Sequence, residues 1–278
     1  MSARRASAPR RSRSSRGFAR GLLAAALAAN GCDYIAPPDP LALDPDVVSI
    51  AIILVGGQTR ARLLAGHPHR PVSEPPPNIT ASLVGPGGWR AEFTRRTNPW
   101  YGCGGGPTFW PMPMVCLNAA LPEPIREKAA YRLEGEGPKG SFVGKAVVPA
   151  TPRILEPGGD TLRLSGTWLP IRYRAAPEVG TLRPQIFATF RVHPDSDRTE
   201  SKWISVGSLD PAGQADTLPL PGFEQASLHL LGIGWNYTSF YWADRIRFPW
   251  PNFGVSGEGV YGYFDGAAES RVVRIIVE

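Results

Sequence analysis

Residues able to do chemistry are few in this chain, and most stand apart from one another. It has four histidines, and two of them form His67-Pro-His69, the spacing of two metal ligands on one strand. A zinc site needs three or four convergent ligands. No acidic or cysteine partner stands close to this pair in its proline-rich segment, so a solvated loop accounts for it. His193-Pro-Asp195 follows a β-rich run and precedes the charged stretch Asp195-Ser-Asp-Arg, and reads as a strand-ending turn. The carboxylate pairs Glu123/Glu127 and Asp195/Asp197 have the residue type for glycoside hydrolysis. Their placement reads as surface charge. Nucleophile elbows, His-Glu-x-x-His helices, phosphate loops and dinucleotide fingerprints are all lacking. The chain is expected to be no enzyme and to hold no metal and no cofactor.

Cysteine offers a different chemistry. Residues 1–20 carry seven arginines and no acid, and Leu22-Leu-Ala-Ala-Ala-Leu-Ala-Ala29 follows, then Asn30-Gly31-Cys32. A basic region, a short apolar run and small residues before a cut site read as a secretory signal peptide. Eight apolar residues are too few to span a bilayer, which takes about 20. Cys32, directly after that run and preceded by Gly31, resembles the lipobox cysteine of bacterial lipoproteins, which implies that it carries a lipid and begins the mature chain; the alternative is an ordinary secreted protein cut near Ala29. Lipidation of Cys32 leaves Cys103 and Cys116 as a pair in an oxidising compartment, where a disulfide persists. Closing the Gly- and Pro-rich loop between them would contribute about 3 kcal/mol in the chain-entropy model.

Aromatic side chains are the remaining candidates. Trp100, Tyr101, Phe109 and Trp110 crowd the cysteine loop, and Trp235, Tyr237, Phe240, Tyr241, Trp242 and Trp250 cluster near the end. Aromatic faces on loops can stack on sugars or anchor a partner. Filling the core of a β-sandwich is their commoner use. The loop set is the candidate ligand-binding group, because surface loops carry function more often than strands do.

Charge excludes one class of partner. The chain has 30 basic and 24 acidic residues, a net of +6 and a pI near 9.5. Seven of the basic residues lie before Cys32, so 23 remain against 24 acids, a net of −1. The basic pI belongs to the export segment, and no nucleic-acid partner is expected.

The elements that must position these groups are short. Thirty prolines and thirty-one glycines punctuate the chain and disfavour long helices. Val47–Val55, Gln58–Leu64, Ile79–Val84, Trp89–Phe93, Ala130–Glu134 and Phe142–Val148 alternate or are β-branched, as strands do. Leu121–Lys128 reads as one helical turn. Thr161–Leu164, Trp168–Tyr173, Gln185–Val192, Lys202–Val206, Ala226–Leu231, Val260–Phe264 and Arg271–Val277 supply a second set, with a turn expected at Asp265-Gly266. No helical period is sustained beyond ten residues after the signal. The expected fold class is all-β: two β-sandwich-like domains after a cleaved signal peptide. The divisions are a signal peptide at 1–31, a Pro-rich tether at 32–45, an Ig-like or transthyretin-like sandwich at 46–150 and a second β-rich domain at 151–278.

Cys32, Asn78-Ile-Thr-Ala-Ser-Leu-Val-Gly-Pro-Gly-Gly88, Lys128-Ala-Ala-Tyr-Arg-Leu133 and Gly257-Glu-Gly-Val-Tyr-Gly-Tyr-Phe264 occur in that order. In this the chain resembles a family of uncharacterised bacterial lipoproteins, a domain of unknown function with an N-terminal carboxypeptidase-regulatory-like β-sandwich. Members often accompany TonB-dependent receptors. The resemblance implies a lipid-anchored place in the cell envelope, periplasmic or surface-exposed, with the outer membrane favoured over the inner. It implies a non-catalytic accessory or interaction role in nutrient uptake, with an outer-membrane receptor as partner. The alternative is a carbohydrate-binding lipoprotein that holds a glycan on the aromatic loop.

Overall fold

Strict alternation is what folds the first segment of the chain. In Val48–Val55 (β1), Val48, Ile50, Ile52 and Leu54 are all buried while the residues between them are half-buried. Such a strand must lie between two layers. The computed structural model describes residues 44–95, 112–191, 199–220, 222–244 and 252–278, all within the compact unit Asp44–Glu278. Nineteen strands follow one another there, with one short helix, in three sheets: the fold is all-β.

The largest sheet runs through both parts of the sequence. β1 pairs antiparallel with Arg60–Gly66 (β2), which pairs with Met114–Ala120 (β6), and β6 pairs with Thr94–Arg95 (β5). On its other side β1 pairs in parallel with Val260–Glu269 (β18), from Val48 opposite Val260 to Val55 opposite Ala267. Beyond β18 come Gln225–Gly234 (β15), Val273–Val277 (β19) and Thr161–Leu164 (β10). The long strand Val179–Arg191 (β12) also pairs with β15 and carries Thr199–Ser205 (β13) on its other edge.

Two smaller sheets cover this one. Thr80–Val84 (β3), Arg90–Glu92 (β4), Ala130–Gly137 (β7), Gly140–Val147 (β8) and Val255–Gly257 (β17) enclose a core with β1, β2, β6 and β18. Arg153–Glu156 (β9), Trp168–Arg174 (β11) and Ala215–Pro219 (β14) enclose a second core with β12, β15 and β19. The first core takes Val255, Val260 and Phe264 from beyond residue 150, so the two cores are not successive stretches of chain.

Several local expectations are corrected. Leu121–Lys128 forms bends and a turn, not helix, because prolines at 122 and 124 break the backbone ladder there. The expected cysteine loop ends early, since pairing with β2 recruits Met114, Val115 and Cys116 into β6. Asp265-Gly266 is no turn: β18 runs straight through it. His67 is not solvated. It is buried, with Nδ1 3.1 Å from the Val47 carbonyl, and burial lowers the pKa of the neighbouring His69.

Candidate functional site

The β-ladder itself builds one unusual surface. Along β12, Leu182, Pro184, Ile186 and Ala188 point into the second core, so Arg183, Gln185 and Phe187 share the opposite face. Register sets their neighbours: Gln185 lies between Ser205 of β13 and His229 of β15, and Phe187 between Trp203 and Ser227. The Phe187 and Trp203 rings tilt together with centroids 5.1 Å apart, and His229 meets Trp203 edge-on at 6.1 Å. Trp203 is nonetheless 61% exposed and Phe187 38%. These contacts leave much of both rings open to solvent.

The strand pattern also explains why a cleft opens here. β13 pairs with β12 only from Gln185 onward. Pro184 has no N–H with which a longer β13 could be held. The chain instead leaves through Gly207 and returns as a single bridge between Leu209 and Leu182. Into the gap comes the one described helix, Trp235–Asp244 (α1), which follows β15 directly.

That helix presents Tyr237 and Tyr241, four residues apart and on one face, with stacked rings 6.2 Å apart. The Arg183 guanidinium lies 5.1 Å from the Tyr237 ring centre and 5.9 Å from that of Tyr241. Its Nη2 donates to the Tyr237 hydroxyl at 2.7 Å. The cleft has a volume of about 750 Å³ and is lined by Arg183, Gln185, Trp203, Ile204, Tyr237 and Tyr241 among others. It combines apolar faces, a half-buried cation and polar side chains, the usual make-up of a small-molecule site.

Asp265 holds the helix in place. It is 3% exposed, and its Oδ2 accepts from the Tyr237 N–H and its Oδ1 from the Gly266 N–H, both at 2.8 Å. A side-chain oxygen at the first N–H groups of a helix satisfies donors that have no partner within the helix. Here the cap comes from another strand instead of the preceding residue. A Cβ on Gly234 would stand 2.1 Å from Asp265 Oδ1, so glycine at that position lets the carboxylate reach the helix end. Burial pushes the Asp265 pKa up to about 6, against the N–H groups of Tyr237, Gly266 and Asn236, which favour the anion. Asn236 Nδ2 donates to Phe264 O at 2.9 Å, and Thr238 shares a 2.6 Å hydroxyl contact with Thr181 of β12. Beneath the helix, Tyr263 packs edge-on to Tyr237 at 5.2 Å, and burial raises its hydroxyl pKa.

The sequence candidates fall elsewhere. Cys32, Cys103, Trp100, Tyr101, Phe109 and Trp110 lie outside the described residues, as do His193, Asp195 and Asp197. Cys116 is buried on β6 and is disulfide-bonded. Glu123 accepts from Trp89 Nε1 at 2.7 Å and pairs with Arg126, which holds its carboxyl below the usual range. Glu127 instead accepts from Thr151. The two carboxylates thus serve separate contacts. Trp235, Tyr237 and Tyr241 lie on a helix and not in a strand. Among the described residues no group of three or more His, Cys, Asp or Glu side chains converges on a metal-sized site. Among them, too, no helix is long and apolar enough to cross a membrane.

Sequence reasoning missed Arg183, Gln185 and Trp203 as a group. The available signal was Lys202-Trp-Ile-Ser205, a strand whose tryptophan alternates with an apolar residue of the opposite face. No protein-family model matches this chain, and no curated protein shows significant similarity to it.

Proposed function

We propose that this protein is an exported, lipid-anchored, non-catalytic binding protein that takes a carbohydrate in the cleft between Arg183, Trp203 and Tyr241. The observation that carries the reading is the exposed Trp203, braced by Phe187 and His229 yet 61% open to solvent. A braced indole offers a flat apolar surface to the C–H face of a sugar ring at little entropic cost. Gln185 and Ser208 beside it offer amide and hydroxyl groups to sugar hydroxyls. A flat platform on a rigid β-ladder is better pre-organised than one on a loop.

The anchor rests on the basic and apolar segment ending at Cys32. An outer-membrane receptor as neighbour remains part of this proposal, since an envelope-tethered glycan binder would deliver its ligand to one. Mass spectrometry of the mature N-terminus is expected to show an acylated Cys32; an unmodified Cys32 recovered in the aqueous phase after detergent partitioning would overturn the anchor.

For the cleft, Trp203→Ala is expected to weaken glycan binding by about tenfold or more, the scale of a central aromatic contact. Its far-UV circular dichroism should match the parent, because the indole is mostly outside the core. Glycan-array screening followed by calorimetry measures this. A Trp203→Ala protein that binds as well as the parent removes the cleft from the reading.

A further inference from the structure

We infer that the saccharide this cleft takes is acidic, a uronate-containing oligosaccharide whose carboxylate pairs with Arg183 while another of its rings stacks on Trp203. The inference rests on the carbohydrate reading and adds to it the ligand's charge and length.

The charge follows from how Arg183 is held. The other half-buried arginines of the described residues, Arg70 and Arg271, each sit within ion-pair distance of a carboxylate. Arg183 is half-buried, yet no carboxylate of the described residues pairs with it. Its positive charge rests on two tyrosine faces and one phenol oxygen. Cation–π contact offsets part of the cost of removing a guanidinium from water, but it brings no negative charge. One of its five N–H donors is used by Tyr237. The rest form a planar fork at the wall of an open cleft, and such a fork matches a carboxylate in two parallel hydrogen bonds.

The length follows from register. Trp203 lies opposite Phe187, four residues along β12 from Arg183. At about 3.3 Å per residue the Cα positions of Arg183 and Phe187, the latter opposite Trp203, are roughly 13 Å apart along the strand. That spacing is longer than one pyranose ring and suits successive units of an oligosaccharide. Gln185 stands between them, placed for the hydroxyls of the intervening unit.

A simpler role is available for Arg183, as a strut that holds Tyr237 and Tyr241 in place. A strut would affect acidic and neutral ligands alike, and an anion receptor would not. The test therefore compares trimeric uronic acid oligosaccharides, α- and β-linked, with their carboxyl-reduced neutral counterparts by calorimetry on the mature chain. The acidic member of the bound pair is expected to bind at least about tenfold tighter at low salt, the scale of a charge-assisted hydrogen bond. That preference should shrink as salt is raised. Arg183→Gln is expected to bring the two members to within about twofold of each other. Arg183→Lys, which keeps the charge without the fork, should retain only part of the preference and covers the case in which the glutamine variant fails to fold. Equal binding of acidic and neutral members by the parent overturns this inference and leaves the carbohydrate cleft standing. A preference that survives in Arg183→Gln also overturns it. If neither member of any pair binds, both readings fall.

Discussion

Replacing Gly262 by alanine is expected to cost roughly 3–5 kcal/mol and to lower the midpoint of thermal unfolding by about 10 °C or more. Gly262 lies in β18, opposite Ile50 of β1, in the parallel ladder that joins the last long strand to the first. Its φ is 131°, a region that costs little for glycine and much for residues with a Cβ. A Cβ there would stand 1.9 Å from the Ile50 carbonyl oxygen, and backbone cannot swing aside as a flexible side chain can. The strain and the clash add at one site. The ladder they would break is the seam at which Val260 and Phe264 enter the first core. Circular dichroism melts of the two proteins under one buffer measure the effect. A shift below about 2 °C would show that β1 and β18 can part without loss, contrary to the packing of Ile50 and Phe264.

The second large effect concerns Asp265 and carries a sign in pH. The native carboxyl keeps its proton up to about pH 6, whereas the ordinary value, which the unfolded chain adopts, is 3.8. Between those values the native state binds more protons than the unfolded one, so stability falls as pH rises through the window. The contribution is fully present below about pH 3.8 and lost above about 6. At about 1.4 kcal/mol for each tenfold in proton affinity, it amounts to roughly 3 kcal/mol. Asp265→Asn keeps one oxygen for the Tyr237 or Gly266 N–H but cannot titrate. Denaturant unfolding of both proteins at pH 4 and pH 7 should show the parent gaining roughly 3 kcal/mol on the variant at the lower pH. A gap that stays constant, or that widens as pH rises, would refute the assignment. Asp265→Ala removes the cap altogether and should loosen α1, and with it the Tyr237 and Tyr241 wall of the cleft.

The coupling between these two residues bears on function. Gly262 and Asp265 stand three residues apart on one strand, the first locking it to β1 and the second reaching across to cap the helix. The cleft therefore depends on a strand that contributes no side chain to its lining. Variants of either residue should weaken ligand binding only as far as they loosen the helix.

Much of the fold was legible in the residues alone. The alternation of Val48, Ile50, Ile52 and Leu54, of Tyr131 and Leu133, and of Leu169, Ile171 and Tyr173 marks strands with one buried face, and each is a strand in the structure. Such a period belongs to a single segment and survives without knowledge of its neighbours. The candidate site was legible only in part. Trp203 falls in a readable strand, but nothing local says whether its face meets a core or the solvent. The helix Trp235–Asp244 has aromatic residues around much of its circumference and no clean apolar stripe, so no helical period announces it.

What the sequence determined by itself is the class of structure: an all-β chain of short strands, punctuated by proline and glycine, with its basic excess confined to the segment before Cys32. Only the tertiary structure decided which strands meet, that Asp265 turns inward as a helix cap where Asp-Gly reads locally as a turn, and that Arg183 lies on tyrosine faces beside an open tryptophan. The physical reason is range. Alternation and turn chemistry act between neighbours in sequence, whereas a cap supplied from 28 residues away and a parallel ladder closed from Val48 to Val260 exist only once distant segments have packed.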